Sequence, residues 1–151
     1  MKNVLLFLFF SASIFLFSCK AKQTSSSTET GKEKEEVKKV LIDAAREIAE
    51  AKQKTYTLNS FTIQGDTLSL EVTYTGGCGQ NTFELYSNGL LMKSLPPQFN
   101  VYLEHTIENE TCKKEIKRTL KFDLSPLKRP GNPKIILNIN SADNKAEWKL
   151  Q

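Results

Sequence analysis

Cys78, His105 and Cys112 are the side chains best suited to chemistry in the second half of this 151-residue chain. Cys78 stands in Gly76-Gly77-Cys78-Gly79, and Cys112 sits in a polar stretch seven residues after His105. Three chemistries fit them. Joined, the two cysteines make a disulfide, and closing a loop of roughly 35 residues restricts the unfolded chain by about 4 kcal/mol. Left as thiols, they could join His105 and Met92 in a soft ligand set suited to Cu(I). As a third option, Cys78 could serve as a nucleophile with His105 as its base. The spacing does little for the last two. There is no Cys-x-x-Cys motif, His105 is the single histidine, and no Gly-x-Ser-x-Gly occurs. The glycines around Cys78 lack the Gly-Lys-Ser/Thr ending of a phosphate loop, and read instead as a tight turn bringing the Cys78 backbone close to a partner strand. The expectation is a protein that is not an enzyme and implies no cofactor.

The third cysteine belongs to different chemistry. Lys2 precedes an apolar run over residues 4–17 that only Ser11 and Ser13 interrupt. At about 14 residues it is short of the roughly 20 that span a bilayer, and matches a signal-peptide core. It ends Leu16-Phe17-Ser18-Cys19, which resembles the lipobox of bacterial lipoproteins. That resemblance implies cleavage after residue 18, a thioether-linked diacylglycerol on Cys19 and acylation of the new amine. Several acyl chains anchor a protein stably where one does not. Residues 20–31 are rich in Ser, Thr, Lys and Gln and read as a flexible tether. Lys20 follows the Cys where an inner-membrane retention signal would have Asp, so the expected address is the outer membrane, with the leaflet open. Cys19 is thereby set apart, and an even pair of cysteines remains in an oxidising compartment, which favours the disulfide.

The formal net charge is +4, and loss of residues 1–18 would remove Lys2 alone. Lys residues are interleaved with Glu, so no nucleic-acid groove is indicated. Five of the nine Phe lie in the first 17 residues, which leaves the rest enough aromatic side chains for one small core.

The elements that would position these residues follow from hydrophobic periodicity. Val37, Val40, Leu41, Ala44, Ala45, Ile48 and Ala49 recur at spacings of three and four, which predicts an amphipathic helix over residues 33–53. From residue 54 the period becomes two. Phe61 and Ile63, the turn pair Gly65-Asp66, then Leu68, Leu70, Val72 and Tyr74 predict a hairpin with Ile63 opposite Leu68 and Phe61 opposite Leu70. A second hairpin is expected from residues 82–86 and 90–93 across Asn88-Gly89, ended by Leu95-Pro96-Pro97. Phe99, Val101 and Leu103 alternate in a further strand whose inward face His105 would continue. Strands are expected around Ile116–Leu124, Ile135–Ile139 and Ala146–Leu150. Seven or eight strands of this kind predict an antiparallel β-sandwich, immunoglobulin-like, over residues 54–151, with a small β-barrel as the alternative.

Gly76-Gly77-Cys78, Phe83-Glu84-Leu85, Leu95-Pro96-Pro97-Gln98, His105, Cys112 and Phe122-Asp123-Leu124-Ser125-Pro126-Leu127 together resemble the small, uncharacterised lipoproteins of the Bacteroidota. The resemblance implies location and fold. That pattern often carries a His three residues after the first Cys, where this chain has Asn81. A metal site built on two His and two Cys would therefore lack a ligand here. Two short surface motifs remain. Asp66-Thr67-Leu68 resembles a Bacteroidota O-glycosylation acceptor, with Thr67 as the acceptor; Asn109-Glu110-Thr111 matches a eukaryotic N-glycosylation acceptor and has no force in a bacterium.

The leading expectation is a lipid-anchored, non-catalytic envelope protein that binds a protein, glycan or small ligand and does not bind nucleic acid. One alternative is an envelope metal-binding or redox protein using Cys78, Cys112 and His105. Another is a periplasmic hydrolase inhibitor that inserts Leu95-Pro96-Pro97 or the Cys78 turn into an enzyme cleft.

Overall fold

A computed structural model describes residues 36–45 and 55–150. The expected signal peptide, Cys19 and the expected tether all fall outside the described residues. Period-two alternation governs nearly everything inside them. The nine strands among the described residues are β1 (Val37–Lys39), β2 (Leu41–Ile42), β3 (Tyr56–Gln64), β4 (Thr67–Gly76), β5 (Gln80–Ser87), β6 (Gln98–Glu108), β7 (Lys114–Asp123), β8 (Lys134–Ile139) and β9 (Lys145–Lys149). They form two sheets, ordered β1-β7-β4-β3 and β2-β5-β6-β8-β9. The expected sandwich is present and no barrel closes.

The β3–β4 hairpin has the expected register, with Phe61 opposite Leu70 and Ile63 opposite Leu68. Among the described residues, fully buried side chains come from the inward positions of both sheets, Leu68, Leu70, Val72 and Phe122 from the first and Phe83, Leu85, Phe99, Val101, Ile135, Leu137, Ile139 and Trp148 from the second, and from the connection after β7, Leu124 and Leu127. Burying each such side chain contributes about 1.5–3 kcal/mol.

Three expectations need correction. The pairing is not purely antiparallel, because β1–β7, β2–β5 and β6–β8 are parallel. A parallel pair requires the chain to cross over between strands. The 124–133 connection, with its 3-10 turn at Ser125–Leu127, takes the chain from β7 in one sheet to β8 in the other. Second, residues 37–42 are extended and not helical, so the sandwich begins before residue 54; the remainder of the predicted helix lies outside the described residues except Glu36 and Asp43 to Ala45, with a turn at Ala44 and Ala45. Here the chain passes from one sheet to the other, β1 along β7 and β2 along β5, and only Val40 between them is buried. One inward residue in a strand that changes sheets mimics helical spacing. Third, β5 pairs with β6 and not with residues 90–93, which contribute a single bridge, Met92 to Gln98. Gly89 does turn the chain, at φ +70°. Phe99, Val101 and Leu103 nevertheless supply the apolar face that Phe83 and Leu85 require, and Leu90 is left exposed.

Candidate functional site

Two connections cross between the sheets at one end of the sandwich, β4 to β5 through residues 77–79 and β6 to β7 through residues 109–113. Gly76 pairs with Lys114 in one sheet and Gln80 with Glu108 in the other, so the two connections lie side by side. The Cys78–Cys112 disulfide ties them together, with Cα atoms 5.4 Å apart. The expected staple is present.

Sequence reasoning missed the residue around which this end is organised. The Glu110 carboxylate accepts the backbone N–H groups of Gly77 (2.9 Å), Cys78 (3.2 Å), Gly79 (3.2 Å) and Cys112 (2.8 Å), and the Asn81 side-chain amide at 2.8 Å. Such a ring of amides is an anion cradle, filled here by the chain's own carboxylate. The Asn81 amide and the backbone N–H donors hold the Glu110 carboxyl down at about 2, against an opposing penalty from burial. Two glycines make room. A Cβ on Gly79 would sit 2.4 Å from the Glu108 carbonyl oxygen, and one on Gly76 would sit 2.7 Å from Glu110 Oε2. The turn role expected of these glycines is correct, and the close approach it permits is to Glu110 and its neighbours.

A directed chain of hydrogen bonds runs inward from Glu110. The Asn81 amide nitrogen donates to Glu110, so its oxygen must be the atom that meets His105 Nε2 at 2.9 Å. His105 Nε2 therefore carries the proton, and Nδ1 accepts from the Thr55 hydroxyl at 2.9 Å. The ring points inward as expected. It stacks on its cross-strand partner Phe83 at 4.1 Å and 7°, and meets Tyr74 edge-on at 5.1 Å. Burial among these rings pushes the His105 pKa below its ordinary 6.5. Nearby, the Tyr56 hydroxyl donates to the Leu103 carbonyl at 2.7 Å and accepts from Asn140 at 2.9 Å, tying β3 of one sheet to β6 of the other. Burial pushes that hydroxyl up to about 12.

This arrangement consumes its reactive groups. The Cys78 sulfur is in a disulfide, both His105 nitrogens are engaged, and Glu110 is too weakly basic to take a proton near neutrality. The Cys78–His105 nucleophile–base pair is therefore not assembled. Nor is the Cu(I) set. Met92 lies beside Gln98 at the start of β6, whereas His105 is near its other end. The ligand atoms of Cys78, Glu110 and Cys112 do lie within 4.8 Å of one another, without His105. There the sulfurs are joined to each other and the carboxylate oxygens accept five N–H groups. Thr67, the expected glycosylation acceptor, is partly exposed at the start of β4, and the adjacent Asp66 is 2.6 Å from Lys128.

Protonation gives this end a pH signature. His105 has a lowered folded pKa, so its contribution is fully present above about pH 6.5 and is lost as pH falls through the folded value. Glu110 has a lowered folded pKa too, so its contribution is present above about 4.5 and is lost as pH falls toward 2. Urea midpoints measured from pH 8 to pH 3 should fall in two stages, and His105→Phe should remove the upper one. Identical profiles for the two proteins between pH 7 and pH 5 would contradict this assignment.

No described protein family and no curated protein matches the sequence. Among solved structures, a NigD-like immunity protein from Bacteroides caccae aligns with TM-score 0.50 and 16% identity over 74% of this chain and 58% of its own. A protein described as a lipoprotein from Bacteroides fragilis aligns with TM-score 0.46 and 14% identity over 76% of this chain and 70% of its own. The chain thus spans less than two thirds of the immunity protein's length. At that identity, the first likeness carries the fold.

Proposed function

We propose that this protein is a lipid-anchored, non-catalytic interaction module of the bacterial envelope, held by lipid on Cys19 and recognising a protein partner through the β5–β6 connection. The observation that carries the reading is the distribution of apolar surface. At the end opposite the disulfide, Leu95 is fully exposed, Leu90 is 65% exposed and Met92 is 37% exposed, all within one connection. Ile42, 47% exposed at the end of β2, adjoins Gly89 of the same connection. The large exposed apolar side chains among the described residues are all aliphatic. A protein surface can cover such groups. The polar machinery at the other end is occupied internally, which supports a binding role over a catalytic one.

Two experiments test the two halves of this reading. Cys19→Ala should move the chain from the membrane pellet to the soluble fraction in its native host; a variant that still pellets would remove the lipid anchor from the account. A photo-crosslinker at Leu95, compared with one at the exposed Glu71 on the outer face of β4, should capture one envelope protein from the first position only. Leu95→Asp should then weaken that complex about tenfold or more, while changing stability by no more than about 0.5 kcal/mol. Equal capture from both positions, or from neither, would rule out this surface.

A further inference from the structure

The disulfide and the Glu110 carboxylate hold the same two loops by independent means. Glu110 accepts the amides of both cysteines, Cys78 on Oε1 at 3.2 Å and Cys112 on Oε1 at 2.8 Å. A single oxygen therefore fixes both half-cystine backbones, while Oε2 gathers Gly77, Gly79 and Asn81. None of these contacts involves a sulfur atom, so none requires that the bond be closed. Asn109, at φ 53°, turns the chain so that Glu110 enters the cradle, and Asn81 is itself braced by His105.

We propose that Glu110 is a positioning residue for the disulfide: its carboxylate brings the Cys78 and Cys112 backbones together in the reduced chain and keeps this end of the sandwich in shape when the bond is open. Closing the bond converts two thiols to one disulfide and passes two electrons and two protons to an oxidant, for instance oxidised glutathione, which becomes two reduced glutathiones. Positioning raises the effective concentration of one thiol at the other and so favours the closed form at equilibrium. The equilibrium is the right quantity to read. The same negative charge disfavours the attacking thiolate, so a rate alone would mix two opposed effects.

The test uses the full chain in detergent with Cys19→Ser, so that two thiols remain. Wild-type and Glu110→Gln forms are equilibrated in glutathione buffers, and the disulfide fraction is read by mass after alkylation. Glutamine offers one acceptor oxygen and turns an N–H group toward the amides. Glu110→Gln should therefore need a ten- to hundredfold more oxidising ratio of oxidised to reduced glutathione for half-closure, whereas Asp123→Asn, which alters a carboxylate at the other end of β7, should match the wild type. An unchanged midpoint in folded Glu110→Gln protein would overturn the proposal. A second measurement does not depend on that variant folding. In the wild-type sequence with both Cys78→Ser and Cys112→Ser, the amides of Gly77, Gly79 and residue 112 should remain protected from hydrogen exchange. Exchange at open-chain rates there, with the strands still protected, would equally overturn it.

Discussion

Trp148→Ala should lower the stability of the sandwich by about 3–5 kcal/mol, read as a shift in the urea midpoint followed by far-ultraviolet circular dichroism. Trp148, on β9, is the largest fully buried side chain among the described residues and sits opposite Ile135. Its indole N–H also donates to the Gly65 carbonyl at 3.0 Å, in the β3–β4 turn of the other sheet. Volume and hydrogen bond can be separated. Trp148→Phe keeps much of the packing and frees a carbonyl that belongs to an exposed turn residue, where water can replace the lost donor. Its cost should be nearer 1–2 kcal/mol. If the two variants were equally destabilised, the Gly65 contact and not the packing would dominate. Because Trp148 is the sole tryptophan, the wild-type fluorescence reports on this one position.

Cys78→Ala combined with Cys112→Ala should cost about 4 kcal/mol, almost all of it through the unfolded chain, since a bond spanning 34 residues no longer limits that ensemble. The Glu110 cradle implies that the folded state hardly notices. The expected result is a lower urea midpoint with a steeper denaturant dependence, together with native amide shifts throughout the strands. A loss below about 1 kcal/mol would mean that the reduced unfolded chain is already compact across this loop. Trp148 and the disulfide lie at opposite ends of the sandwich, so their costs should add. A typical domain has only about 5–15 kcal/mol in total, so the combined variant should lose a large part of its stability.

What the sequence made legible was whatever is decided locally. The β3–β4 hairpin could be registered residue by residue because the turn pair and both alternating faces lie within one short stretch. The disulfide followed from an even cysteine count once Cys19 was assigned to lipid. His105 could be placed on an inward face because it continues the alternation of Phe99, Val101 and Leu103. The misreadings share one cause, which is competition from distant partners. Asn88-Gly89 does turn the chain, but β5 is drawn to the more apolar β6 and bypasses the nearer residues. The Val37–Ile42 segment reads as helix because its sheet partners are more than forty residues away. Glu110 left the faintest trace of all. It acts on backbone amides, which have no residue identity, and its position two residues before Cys112 was the one available hint.

The short β1–β2 strand that passes from one sheet to the other has a consequence for how copies of this protein behave when crowded. An unpaired sheet edge is a template on which another chain can add a strand. By running along Lys121–Asp123 of β7 and then Tyr86–Ser87 of β5, this segment covers one end of an edge in each sheet, with β3 and β9 as the outer strands on the far side. The first of these carries a register break between Leu58 and Ser60, and the second presents Lys145, Glu147 and Lys149 outward. A bulge and a row of charges both discourage strand addition. When copies meet at high local density, these features disfavour the addition of a neighbour's strand at β3 and β9.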